Sequence, residues 1–411
     1  MQIVPHDLYQ SGCRLLCDFA LWVCIRPTCC FRYHKKNLFF EKQFDEPETA
    51  QISTFNTPFG RWVMFTCFDI LFYAPAVAAI EREGIANIAF PTAWMDALPS
   101  LASVEFHSAF ARGMGVNFLA ANIHLPRYRF QGSGVFTPKG QAEFIHNATV
   151  SSEPRLIVTE IDTLEKPKPE GARISAPKTS RRNVRKLVDS EIEPQNATRY
   201  EDVFTGSEMP EYEIGFVSYL FHDLFNFVQL EKPTGTLQTC SNKICCHLNY
   251  SMTQDSKNRD LFAFGAFDGL HTFEGQYYLQ ICALVRCANQ SRHSCGSVTN
   301  QSSTSFHFLS MRGEFQTEYV YPEVLLTTES NHLRLAQSEE WSFFDQEIRS
   351  EKGFSYPLLA SSLFGRDYSR DNEVLLTPFA DDDTSDVATS AFLQWRVVVF
   401  CGVLVLLCLG S

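Results

Sequence analysis

The stretch Arg61-Trp62-Val63-Met64-Phe65-Thr66-Cys67-Phe68-Asp69-Ile70-Leu71 decides how this chain folds. The apolar, β-prone run 62–65 stops at Thr66-Cys67, and over 68–80 apolar residues return at helical spacing, which predicts a strand-to-helix elbow with Cys67 at its corner. Such an elbow presents a nucleophile. Backbone N–H groups at a helix start favour a thiolate and can hold the oxyanion formed when sulfur attacks a carbonyl. The alternative is a small cysteine buried at the end of a strand.

Around the elbow, residues 31–162 alternate short apolar runs with helical patterns, as α/β layers do. Strands are expected at 85–90, 116–123 and 156–161, and a helix at 101–114, opened near Ser100 and closed by Gly113 or Gly115. Residues 166–177, rich in Pro and Gly, read as a linker. Beyond 201 the pattern turns β-rich, with strands expected at 261–267, 276–285, 304–310 and 317–321. The expected organisation is an N-terminal segment at 1–30, an α/β unit at 31–165, a linker at 166–200, a β-rich domain at 201–370 and a terminal spacer with an apolar tail at 371–411.

A chain of 411 residues can bury two substantial cores, and with 45% hydrophobic and 20% charged residues it reads as globular. The net charge of -12 argues against a nucleic-acid binder, because neutralising phosphates needs clustered Lys and Arg. The basic cluster 178–186 reads as a solvated linker or surface helix. Five sequons, at Asn147, Asn196, Asn249, Asn289 and Asn300, together with fourteen cysteines predict a secretory-pathway protein with disulfides. Six of those cysteines, Cys240, Cys245, Cys246, Cys282, Cys287 and Cys295, fall in the β-rich part and allow three bridges in fifteen pairings. Cys245-Cys246-His247 invites a metal reading, but in a glycosylated chain disulfides are the simpler account, so no metal and no cofactor is expected.

The ends differ from the middle. Residues 1–30 hold five cysteines and an apolar run at 15–25 interrupted by Asp18, and no secretory signal is legible there. The tail 397–409 is an apolar run of thirteen residues, short for a membrane span. It follows Asp383-Thr384-Ser385 and a spacer at 386–395, the order of a glycosylphosphatidylinositol (GPI) attachment signal with Asp383 at the transfer site. A buried terminal strand or a short tail anchor is the alternative.

Further blocks flank the elbow: Arg32-Tyr33-His34-Lys35-Lys36-Asn37-Leu38-Phe39 before it, then Phe90-Pro91-Thr92-Ala93-Trp94-Met95, Val104-Glu105-Phe106-His107-Ser108-Ala109, Ala120-Ala121-Asn122-Ile123-His124 and Gly265-Ala266-Phe267-Asp268-Gly269-Leu270-His271. In this order they resemble the nitrilase (carbon–nitrogen hydrolase) superfamily, and within it the vanin and biotinidase branch, over residues 31–368. The resemblance implies part of an αββα sandwich followed by a β-rich domain, and hydrolysis of a small amide through a thioester on Cys67. It gives Lys35 two tasks, holding the thiolate and, with the N–H of Phe68, stabilising the tetrahedral oxyanion. Trp94 becomes a candidate pocket wall or a core tryptophan, and Glu105 a candidate supporting carboxylate or a solvated helix position. The superfamily's catalytic glutamate precedes the lysine, whereas here no glutamate occurs before Glu41, so the match is to a member shortened at its N-terminus. Loss of that acid–base group is expected to cost about 10²- to 10⁴-fold in rate. The implied substrate is pantetheine, or a biotinyl amide on the biotinidase side. A rival from another class is a catalytically dead surface protein that binds through its β-rich domain.

Overall fold

Strand β1 (Asp18–Leu21) pairs antiparallel with β2 (Phe31–His34), setting Asp18 opposite His34. A six-stranded sheet then runs β3 (Ser53–Thr57), β4 (Gly60–Met64), β5 (Asn87–Thr92), β6 (Asn117–Asn122), β7 (Ser133–Phe136) and β8 (Ala142–Ile145), with neighbours in space also neighbours in sequence. The central strands β4, β5 and β6 are parallel, with Trp62 opposite Asn87 and Asn87 opposite Asn117. Every residue of β5 is buried, which accounts for its unbroken apolar run. Helices α1 (Ala78–Glu83) and α2 (Ser103–Met114) supply the crossovers. The computed structural model describes residues 18–21, 31–140, 142–146, 155–167, 215–253 and 260–371; Asn147, Asn196, the basic cluster 178–186 and the tail with Asp383 lie outside them.

Two local expectations are corrected. The helix expected over 68–80 is broken: a 3₁₀ turn at Cys67–Leu71 is followed by extended Phe72, a π turn at Tyr73–Val77, and only then α1. Pro75 removes an N–H donor and drives Ala74 to an extended backbone (φ -111°, ψ 127°), which no continuous helix tolerates. The segment 156–161 is not a strand. Leu156 and Val158 are exposed, and the chain here runs irregularly, with the carbonyls of Asp162 and Leu164 accepting from Asn117 Nδ2 (2.9 Å) and Asn87 Nδ2 (3.3 Å).

The β-rich domain contains β9 (Gly215–Leu220), β10 (Asp223–Gln229), β11 (Thr234–Ser241), β12 (Ile244–Met252), β13 (Phe262–His271), β14 (Tyr277–Arg286), β15 (Phe306–Gly313), β16 (Val320–Thr327), β17 (Leu333–Leu335), β18 (Ser342–Phe344), β19 (Glu347–Ser350) and β20 (Leu358–Arg366). They form a seven-stranded sheet, β17-β16-β20-β14-β13-β10-β9, and a five-stranded sheet, β11-β12-β15-β19-β18. One core lies between the two sheets and includes Leu248, Met311, Phe264, Leu284 and Leu326. The other face of the seven-stranded sheet meets α2, where Phe106 packs edge-on against Tyr321 (6.0 Å) and Phe364 (5.3 Å). Covered on both faces, β16 and β20 are buried at every position. Gly113 permits this close approach, since a Cβ there would meet Tyr321 Cδ1 at 2.8 Å and the Val320 carbonyl at 3.0 Å.

The six cysteines pair as Cys240–Cys245, Cys246–Cys282 and Cys287–Cys295. Cys246–Cys282 joins β12 to β14 and so crosses from one sheet to the other. The bridges use both cysteines of the Cys245-Cys246-His247 run that had suggested a metal.

Candidate active site

Cys67 leaves β4 with φ +50°, a left-handed backbone that costs a non-glycine residue roughly 1–2 kcal/mol. Strain of this kind persists where the surroundings over-determine it, as at functional turns. Here Thr66 Oγ1 donates to the Pro91 carbonyl (2.5 Å), and the Cys67 Sγ lies 3.7 Å from the Ala93 carbonyl oxygen. Both partners lie at the carboxyl end of β5 or just after it. The sulfur therefore sits where the parallel strands end, the place where α/β sheets open a ligand crevice. It is partly exposed, and it is the free thiol among the described residues.

Lys35 follows β2 and is buried, with 1% of its side chain exposed. Its Nζ is ion-paired with Glu41 Oε2, which also accepts from the Phe39 N–H (2.9 Å). Burial pulls the ammonium down, but its charge interactions with Cys67, Glu41 and Asp69 outweigh that and hold Lys35 above the usual lysine range. The direct partner of Lys35 is thus a carboxylate not singled out beforehand. Nothing in the spacing of Glu41 marks it; a turn of six residues folds it back onto Lys35.

Asp69 is the other residue that sequence reasoning missed. Its Oδ1 accepts from the Asn37 N–H (2.8 Å) and Asn37 Nδ2 (2.8 Å), and its Oδ2 from the Tyr33 hydroxyl (2.5 Å). Tyr33 and Asn37 each lie two residues from Lys35, and Asp69 lies two residues from Cys67. One buried carboxylate therefore sets the lysine segment in register with the elbow. Burial pushes it up to about 6, against the three donors that favour its charged form.

The remaining predicted residues fall into two groups. Phe68 is buried just after the sulfur, edge-on to Phe39 (5.3 Å) and Phe72 (5.1 Å). Trp94 stacks on Phe106 (5.2 Å, 12°), donates through Nε1 to the Leu101 carbonyl (3.2 Å), and is held by Asn122, which accepts from its N–H (2.9 Å) and donates to its carbonyl (3.0 Å). Those are the contacts of a core tryptophan that fixes the loop carrying Ala93. Glu105 is not on a solvated face. It lies in the first turn of α2, 1% exposed, its Oε2 accepting from the Ala102 N–H (3.1 Å), and burial with Glu323 and Asp96 nearby pushes its carboxyl well up. Asn249, Asn289 and Asn300 are exposed.

A family model described as the Vanin C-terminal domain matches residues 214–371. The chain is 42% identical over 341 residues to a pantetheinase from Mus musculus and 41% identical over 341 residues to one from Homo sapiens, each alignment covering 83% of this chain and 60% of the relative. It is 37% identical over 357 residues to a biotinidase from Rattus norvegicus, covering 82% of this chain and 64% of that protein. The chain belongs to the vanin and biotinidase branch of the nitrilase superfamily. It spans about 60% of the length of the pantetheinases it matches. In this vanin-branch chain the matched C-terminal domain is the β-rich part that covers α2, and the blocks around Lys35, Cys67, Trp94 and Asn122 belong to the α/β part beneath it.

Proposed function

We propose that this chain hydrolyses a linear amide of the pantetheine type, giving pantothenate and cysteamine, by acyl transfer to Cys67. The observation that carries the reading is Asp69, two residues after Cys67, which is bonded to Tyr33 and Asn37 on either side of a buried Lys35 that is itself ion-paired with Glu41. In this reading the thiolate adds to the amide carbonyl, and Lys35 with the Phe68 N–H stabilises the oxyanion. The thiol gives up its proton to water, the amine leaves with a proton taken from water, and a thioester remains on sulfur. Water then adds to the thioester, releasing the acid and restoring the thiol. Glu41 keeps Lys35 charged and aimed at that oxygen.

The higher identity to pantetheinases than to the biotinidase supports pantetheine over a biotinyl amide. Release of cysteamine from pantetheine by the purified chain, read as a new primary amine, is the test. Cys67→Ala should abolish it, and turnover that survives this change would overturn the mechanism. A biotinyl amide cleaved faster than pantetheine would move the chain to the biotinidase side.

The same reading places the protein at the extracellular surface, on a lipid anchor transferred at Asp383. Three disulfides and exposed sequons at Asn249, Asn289 and Asn300 support an oxidising, glycosylating route. Release from cells by a phosphatidylinositol-specific phospholipase is the expected result; a protein that stays on the membrane after treatment contradicts the anchor.

A further inference from the structure

We infer that Arg366, Tyr277 and Gly275 of the β-rich domain are positioning residues for the Cys67–Phe68 elbow, so that this domain forms the back wall of the site and not merely a neighbour of it. The 3₁₀ turn Cys67–Leu71 ends abruptly at extended Phe72, which leaves carbonyls at its end without an intrahelical partner. Arg366, at the end of β20 and fully buried, fills that need: its Nε donates to the Leu71 carbonyl at 2.7 Å. The guanidinium is fixed from the other side by Asp371 Oδ2 (2.6 Å) and by the Tyr278 carbonyl, and lies over the rings of Tyr277 (4.8 Å) and Tyr368 (4.6 Å). A charged donor held this firmly fixes the far end of the turn that begins at the sulfur.

Tyr277 and Gly275 act on the same turn through packing. The Tyr277 ring meets Phe68 (6.0 Å) and Phe72 (5.7 Å) edge-on. Gly275, in the connection between β13 and β14, approaches so closely that a Cβ there would meet Phe68 Cζ at 3.0 Å and Cε1 at 3.1 Å. Phe68 is the residue next to the sulfur, and its ring is thus held between this connection and Phe39. A turn whose end is tied and whose second residue is clamped keeps Cys67 in its strained backbone.

The test uses the full chain with Arg366→Lys, Gly275→Ala and, as a control, Arg286→Met, which removes the bond from Arg286 Nη2 to Asp260 Oδ1 (3.1 Å) at the far end of β14 from Tyr277. Alkylation of Cys67 by iodoacetamide reads the sulfur without any assumption about substrate. Pantetheine turnover, which rests on the function proposed above, is read separately as kcat and KM. For R366K and G275A, folded by near-UV circular dichroism, alkylation should slow and kcat fall by about 10- to 100-fold, with KM changed far less. R286M should match the unaltered chain. R366K and G275A that alkylate and turn over as the unaltered chain does would overturn the inference, as would an equal loss in R286M. If R366K does not fold, G275A alone decides, since it adds one methyl group at a position without a left-handed backbone. A chain that never cleaves pantetheine, yet shows the alkylation pattern, defeats the proposed substrate and leaves the positioning role standing.

Discussion

Asp69 ties the lysine segment to the cysteine elbow, and its titration separates function from stability. Its folded pKa of about 6 lies above the ordinary 3.8, so the stability it contributes is fully present below pH 3.8 and is lost as pH rises through about 6. Activity should run the other way. The ionised carboxylate accepts from Tyr33 and twice from Asn37, and protonation removes both an acceptor and a negative charge that helps hold Lys35 as a cation. The rate of Cys67 alkylation or of amide hydrolysis is therefore expected to fall below a midpoint near pH 6 while thermal stability does not fall with it. Asp69→Asn keeps Oδ1 for Asn37 and lets the Tyr33 hydroxyl turn to accept, so the fold should survive. The variant should lose that midpoint and run about three- to tenfold slower at neutral pH. An acid limb that persists unchanged in D69N would assign the titration to another group.

At the scale of elements, the pairing of α2 with β16 yields a prediction whose sign is diagnostic. In an exposed helix, replacing glycine by alanine stabilises by about 0.8–1 kcal/mol. At Gly113 the new methyl would press on the Tyr321 ring and the Val320 carbonyl, so Gly113→Ala is expected to destabilise by about 1–3 kcal/mol in urea or guanidinium unfolding. A gain in stability would mean that α2 and β16 are less tightly packed than their contacts indicate. The elements that sequence made legible are those with one dominant local signal. Parallel β4 and β5 are apolar runs, and α2 carries its period between Ser100 and Gly115. Illegible were features set by partners distant in sequence. Strand β13 runs on through Asp268 to His271, past the expected end at 267, because Asp268 is bonded by Arg370 (3.0 Å) and His271 by Asp223 (2.7 Å) and Glu274 (2.6 Å). Those carboxylates hold the buried His271 charged, up to about 9. The site was legible to the same degree: Cys67 and Lys35 stood out as residues in motifs, whereas Glu41 and Asp69 gained their roles only from how the loops close.

For the molecule as a whole, the seven-stranded sheet is the shared wall. The five-stranded sheet covers one face, and α2 with the elbow beneath Arg366 and Tyr277 meets the other. Its attachment on the first face is covalent, through Cys246–Cys282, whose partners are 36 residues apart. In the chain-entropy account, closing a loop of that length constrains the unfolded state by about 4 kcal/mol, whereas Cys240–Cys245, only 5 residues apart, contributes about 2 kcal/mol. The pair Cys246→Ala with Cys282→Ala should therefore lower Tm by about 8–15 °C, and Cys240→Ala with Cys245→Ala by roughly half as much. Hydrolysis should disappear with the sheet at the lowered temperature, not before it, because the elbow is braced by the same strands. Activity that outlasts the melting of the β-rich domain would mean that the α/β part holds Cys67 in place by itself, and the back wall would then have no part in the site.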